Sequence, residues 1–176
     1  MASKNQDAIA MLKADHRKVE GLFEQFEKAR DGSRKKKLAT EICTELSVHT
    51  MIEEEIFYPA CKDHAEEDLL DESYVEHDGA KVLIAEIAAG SPDDDFYDAK
   101  VTVLSEMIKH HVKEEEKPGE GLFAQARAAD MDLVDLGARM AARKEELLAQ
   151  IKTNGIPTPQ TRSFTGHKLR EGRPIA

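Results

Sequence analysis

Residues 46–60 read LSVHTMIEEEIFYPA, a helical stretch with the wrong residues inside it. Stepping through it by threes and fours gives Ile42, Leu46, His49, Glu53, Ile56 and Ala60, so a His and a Glu hold two places on a stripe that should be apolar. Burying a carboxylate is costly unless something positive meets it. A second stretch does the same: Val101, Leu104, Ile108, His111 and Glu115 follow one another at helical spacing. Two further imidazoles sit on inward stripes, His16 between Leu12 and Val19, and His77 between Tyr74 and Ile84.

The four segments form a repeat. His16 precedes His49 by 33 residues with Glu53 four later, and His77 precedes His111 by 34 with Glu115 four later. Positions i and i+4 share a helix face about 6 Å apart, so each His-x3-Glu aims one nitrogen and one oxygen at a single point. Taken alone, an inward His reads as a satisfied core residue and a Glu run as a solvated face. Four His and two Glu in a repeated order read instead as a pair of metal ions, each held by two imidazoles and bridged by both carboxylates. His110 and Glu114 share the spacing of His111 and Glu115, and Met107 and Val103 before His110 are apolar like Ile108 and Leu104 before His111, but one turn beyond these His110 has Lys100 or Ala99 where His111 has Val101. His111 and Glu115 are therefore favoured.

Outward from these motifs, helices are predicted at about 6–30, 34–62, 68–89 and 92–116, with a short one at 120–129 and a last one at 133–152. Asp31-Gly32 ends the first, and Ser33 caps the second. Ser91-Pro92-Asp93 reads as a cap followed by Pro at the first helical position, and Asp132 caps the last helix. Lys117-Pro118-Gly119 breaks the fourth. The expected architecture is all-α: an up-down-up-down four-helix bundle over 1–129 including the short helix, a C-terminal helix at 130–152 packed on it, and an irregular tail at 153–176.

The chain has 176 residues, 25 Lys+Arg against 35 Asp+Glu, and a formal net charge of −10. That balance argues against nucleic acid, whose affinity is supplied by Lys and Arg. No apolar run reaches the ~20 residues of a membrane span, and the opening MASKNQDAIAMLKADH has no apolar signal core. Cys43 and Cys61, on one continuous helix, would lie roughly 27 Å apart and could not pair. A reduced, cytoplasmic protein is expected.

The segments KADHRKVEGLFEQFE (13–27), LSVHTMIEEEIFYPA, YVEHDGAKVLIAEI (74–87) and MIKHHVKEEEKPGEGLFAQAR (107–127) together resemble the hemerythrin-like HHE cation-binding domain family. LGARMAARKEELLAQ (136–150) is similar to the C-terminal helix of some bacterial members. The resemblance implies a bundle holding a non-haem di-iron centre on His16, His49, Glu53, His77, His111 and Glu115. Three features depart from the oxygen carriers of the family. Lys81 stands where they have a further His, the fourth helix carries His-x3-Glu rather than His-x4-Asp, and Lys117-Pro118-Gly119 cuts that helix short while the first repeat runs on to Pro59.

Imidazole with carboxylate suits iron, manganese or zinc, and no thiolate is offered; a pair of ions with bridging carboxylates and open positions points to iron ahead of manganese or zinc. The function expected is a di-iron protein that binds O2, peroxide or NO as carrier, sensor or iron buffer. The alternatives are a peroxide-consuming or oxidase enzyme, and a metal-free helical adaptor whose basic tail (Arg162, Lys168, Arg170, Arg173) recruits a partner. Tyr74 reads as core packing ahead of a hydrogen bond to a ligand or metal-bound oxygen, and Tyr58 and Glu54 are weaker candidates for supplementary ligands. His64 and His167 are given no role.

Overall fold

A computed structural model describes residues 6–164, which are helical with no strand among them. The helices are α1 (Ala8–Lys28), α2 (Gly32–Ile52), α3 (Tyr58–Cys61), α4 (Glu67–Ala89), α5 (Tyr97–Glu115), α6 (Leu122–Ala128) and α7 (Leu133–Asn154). A single π-helical turn, Glu53–Phe57, joins α2 to α3 without a break. α1, α2, α4 and α5 form an up-down-up-down bundle, with α1 and α4 on one diagonal and each packed against both α2 and α5. α7 covers α1, α2 and the π turn from outside.

The apolar interior is divided in two. One cluster gathers Leu12, Val48, Ile52, Phe57, Leu70, Leu122 and Phe123 with the inner face of α7. The other gathers Val19, Phe23, Ile42, Leu46, Ile84, Val101, Leu104 and Ile108. His16, His49, Glu53, His77, His111 and Glu115 are all buried in the layer between them. Each fully buried large apolar side chain contributes about 1.5–3 kcal/mol, so both halves can support a polar layer that would not sustain itself.

Three expected boundaries shift, each for a local reason. Asp31, not Ser33, caps α2: its extended backbone lets the carboxylate accept from Arg34 N at 2.8 Å, and α1 has already ended at Lys28. Ser91-Pro92 does not open α5, because Ser91 N donates to Asp94 Oδ2 at 2.6 Å and closes a turn. The helix starts at Tyr97, after Phe96 has taken a left-handed conformation with φ 64°. The second helix does reach residue 61, but through the π turn rather than in unbroken α winding. Asp132 caps α7 as expected, accepting from Asp135 N at 2.9 Å.

After α5 the chain doubles back so closely that a Cβ at Gly121 would lie 2.5 Å from the carbonyl oxygens of Glu114 and Glu115. This approach sets Phe123 parallel to the His16 ring, with centroids 5.8 Å apart. Residues 156–160 run over the groove between α2 and α4, beside Thr50, Glu54 and Lys81. Cys43 and Cys61 are buried and free, one in each apolar cluster. No described helix is long and apolar enough to cross a membrane. His167, Lys168, Arg170 and Arg173 lie outside the described residues.

Candidate metal centre

Each helix of the bundle sends one imidazole inward. His16 Nε2 faces His49 Nε2 at 3.1 Å, and His77 Nε2 faces His111 Nε2 at 3.2 Å. The two carboxylates lie between these pairs. Glu53 Oε2 is 3.1 Å from His49 Nε2 and 3.3 Å from His77 Nε2. Glu115 Oε2 is 3.5 Å from both His16 Nε2 and His111 Nε2. The six residues therefore form two overlapping sets, His16, His49, Glu53 and Glu115 in one and Glu53, His77 and His111 in the other, each with ligand atoms within 4.8 Å of one another. His110 is left out: its side chain is 59% exposed and pairs with Glu76 on the surface.

Behind each imidazole stands a carboxylate on the Nδ1 side. Glu116 Oε1 is 2.7 Å from His16, Glu76 Oε2 is 2.7 Å from His111, and Glu54 Oε1 is 3.1 Å from His77. Asp15 Oδ2 stands off His49 at 3.7 Å. A carboxylate there keeps the proton on Nδ1 and turns the Nε2 lone pair inward, the arrangement by which metal-binding histidines are oriented. With Nδ1 carrying the only proton of each ring, lone pair would face lone pair across 3.1 and 3.2 Å, a repulsion that a proton or a cation between them relieves. Glu53 Oε1 and Glu115 Oε2 are buried without a hydrogen-bond partner. A cation between them answers both deficits, so the donor set fits a metal.

The hemerythrin HHE cation-binding domain family matches residues 7–118. The chain belongs to that family. A Nostoc protein named DNA nickase is 32% identical over 122 residues, 69% of this chain, and this chain spans only 33% of that protein's length. A Mycobacterium kansasii protein, described as HHE cation-binding domain-containing, superposes with a TM-score of 0.68 at 24% identity, over 85% of this chain and 94% of that one. At that identity the likeness shows the fold.

In this HHE domain the free site is electrostatically alternated. Burial, and then the charge on His49, push His16 down to about 2. Burial also opposes a charged His49, but Glu53 and Asp15 outweigh it and lift that imidazole to about 10. His77 is raised in the same way, by Glu53 and Glu54 against burial. Burial and then Glu53 push the Glu115 carboxyl up to about 7, while His49 and His77 hold Glu53 well below the usual range despite its burial. A proton on His49 or His77 would take the place of a cation between the facing Nε2 atoms, and a metal would have to displace it.

Tyr58 is the residue that helical spacing undervalued. Its hydroxyl donates to Glu115 Oε1 at 2.9 Å and lies 3.3 Å from Glu53 Oε2 and 3.2 Å from His77 Nε2. In α winding, five residues after Glu53 would place it about 140° around the helix. The π turn bonds Tyr58 N to Glu53 O instead, which stacks residue 58 over residue 53. Tyr74 contributes packing rather than a hydrogen bond to the centre: it meets the Tyr58 ring edge-on at 5.3 Å, with Arg162 over its other side at 4.6 Å. Lys81 does not face the ligand atoms; its Nζ holds Glu54 at 2.6 Å and Asp78 at 3.2 Å.

Proposed function

We propose that the chain is a non-haem di-iron protein that binds O2 or a related small oxidant, peroxide or NO, at the polar layer of its bundle. The observation that supports this reading is the convergence of four Nε2 atoms and two underbonded carboxylates at one buried level. His16 and His49 would hold one ion and His77 and His111 the other, with Glu53 and Glu115 shared. Nitrogen and oxygen donors without thiolate suit iron, manganese or zinc, a carboxylate-shared pair points to iron among them, and Cys43 and Cys61 are placed in the apolar clusters. Such an iron pair supplies redox chemistry and coordination positions for a small oxygen-containing molecule.

The chain's own residues set the conditions around that pair. Glu116, Glu76 and Glu54 orient imidazoles, and Tyr58 offers one hydroxyl proton at Glu115 Oε1. Val19, Leu46, Ile108 and Val112 join the histidines around a cavity of about 10 Å³, enough for a molecule of water's size and no more. That space leaves no room for an organic substrate. With a net charge of −10, the reading gives no part to nucleic acid.

Metal analysis of purified protein together with an optical spectrum tests the proposal. Two irons per chain with oxo-bridged ferric bands in the near ultraviolet are expected. Absence of stoichiometric metal would favour the adaptor reading. Sustained O2 release from added peroxide would move the assignment from binding protein to enzyme, and nicking of supercoiled plasmid by the iron-loaded protein would restore nucleic acid as a substrate.

A further inference from the structure

The segment that follows α7 roofs a cavity outside the metal centre. From Gly155, at φ 79°, the chain crosses the groove between α2 and α4. It is tied down where Gln160 O accepts from Lys81 Nζ at 3.2 Å and where Arg162 N and Ser163 N donate to Asp78. The cavity beneath measures about 280 Å³, the size of a small ligand pocket and of about nine water molecules. Met51, Ile84, Pro157 and Pro159 make its walls apolar, and Ser47, Thr50 and Glu54 give it one polar line along the second helix.

Two of these polar groups are buried without a partner. Ser47 is 8% exposed, and among the described residues its hydroxyl makes no hydrogen bond; Thr50 Oγ1 reaches the Ser47 carbonyl instead. Glu54 is 9% exposed. Its Oε1 is shared by His77 and Lys81, whereas its Oε2 accepts no hydrogen bond and has Arg162 Nε 3.9 Å away. Leaving such groups unpaired in an apolar space is costly, and the hydroxyls of a ligand would relieve it.

Charge and spacing define that ligand. The three N–H groups of the Lys81 ammonium are taken by Glu54 Oε1, Asp78 Oδ1 and Gln160 O. Lys81 and Arg162 balance Glu54 and Asp78, so a charged ligand would find no free counter-charge. Ser47 and Glu54 stand seven residues apart on one helix face, about 10 Å along the axis. A single ring with a hydroxyl at each end, and one hydrogen bond beyond each hydroxyl, spans that distance. We propose that the cavity is a binding site for a neutral, compact diol, one hydroxyl donating to Glu54 Oε2 and the other meeting Ser47 Oγ. The bound molecule stands one carboxylate away from His77 and outside the space between the imidazoles. The site does not rest on the proposed iron pair, since none of the six metal-centre residues lines it.

Saturation-transfer NMR on the purified protein tests it with quinitol, the para-diol of cyclohexane, which is neutral and does not reduce iron. The wild type should bind with a Kd on the order of 1 mM, as its eight non-hydrogen atoms allow. Ser47→Ala should weaken binding about five-fold. Ala85→Phe, which fills the cavity, should abolish it, and both variants should keep the wild-type metal content. Cyclohexanol, with a single hydroxyl, should bind about five-fold more weakly than quinitol. No wild-type binding at about 10 mM, equal binding by Ser47→Ala, or tighter binding of cyclohexanecarboxylate would overturn the site. The His49→Ala protein separates the two proposals: it should lose iron from the centre and still bind quinitol.

Discussion

The two helical hairpins carry the same three-ligand pattern and treat it differently. In α1–α2 the helix continues past Glu53 through a π turn and returns Tyr58 to the ligand face. In α4–α5 it stops at Glu115, and the chain folds back at Gly121 so that Phe123 stacks on His16. The carboxylates behind the imidazoles follow the repeat as well. Asp15 and Glu76 immediately precede His16 and His77, while Glu54 and Glu116 immediately follow Glu53 and Glu115. Each motif histidine is backed from its own hairpin and each lone histidine from the other. The halves are thus alike in what they offer a metal and unlike in what surrounds it. One side has a hydroxyl and a lysine on each of its backing carboxylates, Lys144 on Asp15 and Lys81 on Glu54, and the other leaves Glu76 paired only with His110 and His111 among the described residues.

The strongest way to break this comparison is to remove the residue both sets share. Glu53→Ala should lower the metal content of purified protein by about ten-fold or more, and His49→Ala should lower it with the thermal midpoint. Wild-type metal in either protein would refute the ligand assignment. Stripping the metal from unmodified protein with a chelator should cost about 3 kcal/mol at ligand concentrations a few hundred times Kd, or about 10 °C for a chain of this size. Calorimetry with and without chelator measures it, and an unchanged midpoint would count against a resident ion.

Tyr58→Phe sharpens the contrast between the hairpins. It removes a donor and leaves Glu115 Oε1 without its bond, at a cost of about 1–3 kcal/mol. Metal content should hold while the optical spectrum shifts, and an unaltered spectrum would reduce Tyr58 to packing.

The smallest effect belongs to the end of the described chain. Asp78, buried beside His77, accepts from Arg162 N, Ser163 N and Ser163 Oγ, each at 2.7 Å. These bonds and Lys81 outweigh burial and hold its carboxyl below the usual range. A depressed carboxyl stabilises above its unfolded pKa and stops doing so as pH falls through the folded one, so the anchor holds above pH about 4 and loosens below. Asp78→Asn should speed tryptic cleavage after Arg162 by about ten-fold at neutral pH. Equal cleavage would show that Asp78 does not tether the segment.

Most of the bundle was legible because its apolar stripes keep helical period over four long segments. Polar residues on those stripes, His49 and Glu53 above all, stood out for the same reason. His111 was separable from His110 because its stripe stays apolar one turn further back, at Val101, and the structure turns it inward. Capping was less legible: Asp31 and Ser33 are both good caps, and only backbone geometry at Asp31 decides between them. The start of α5 was hidden because Ser91-Pro92-Asp93 serves a turn and a helix start equally well. Asp15, Glu76 and Glu116 carried a readable signal, an acidic residue at the same offset in both repeats, but it appears only once the ligands are aligned. Tyr58 could not be placed by counting, since a five-residue hydrogen bond leaves no trace in a period of 3.6.

That wide turn makes the hydroxyl's position depend on chain length rather than on side-chain identity. Winding Glu53–Tyr58 as ordinary α-helix with no residue removed would turn Tyr58 about 140° from Glu53 and off the ligand face, whereas deleting one residue between them would set it at i+4 and return it there. Every one of the six ligands would remain in the sequence.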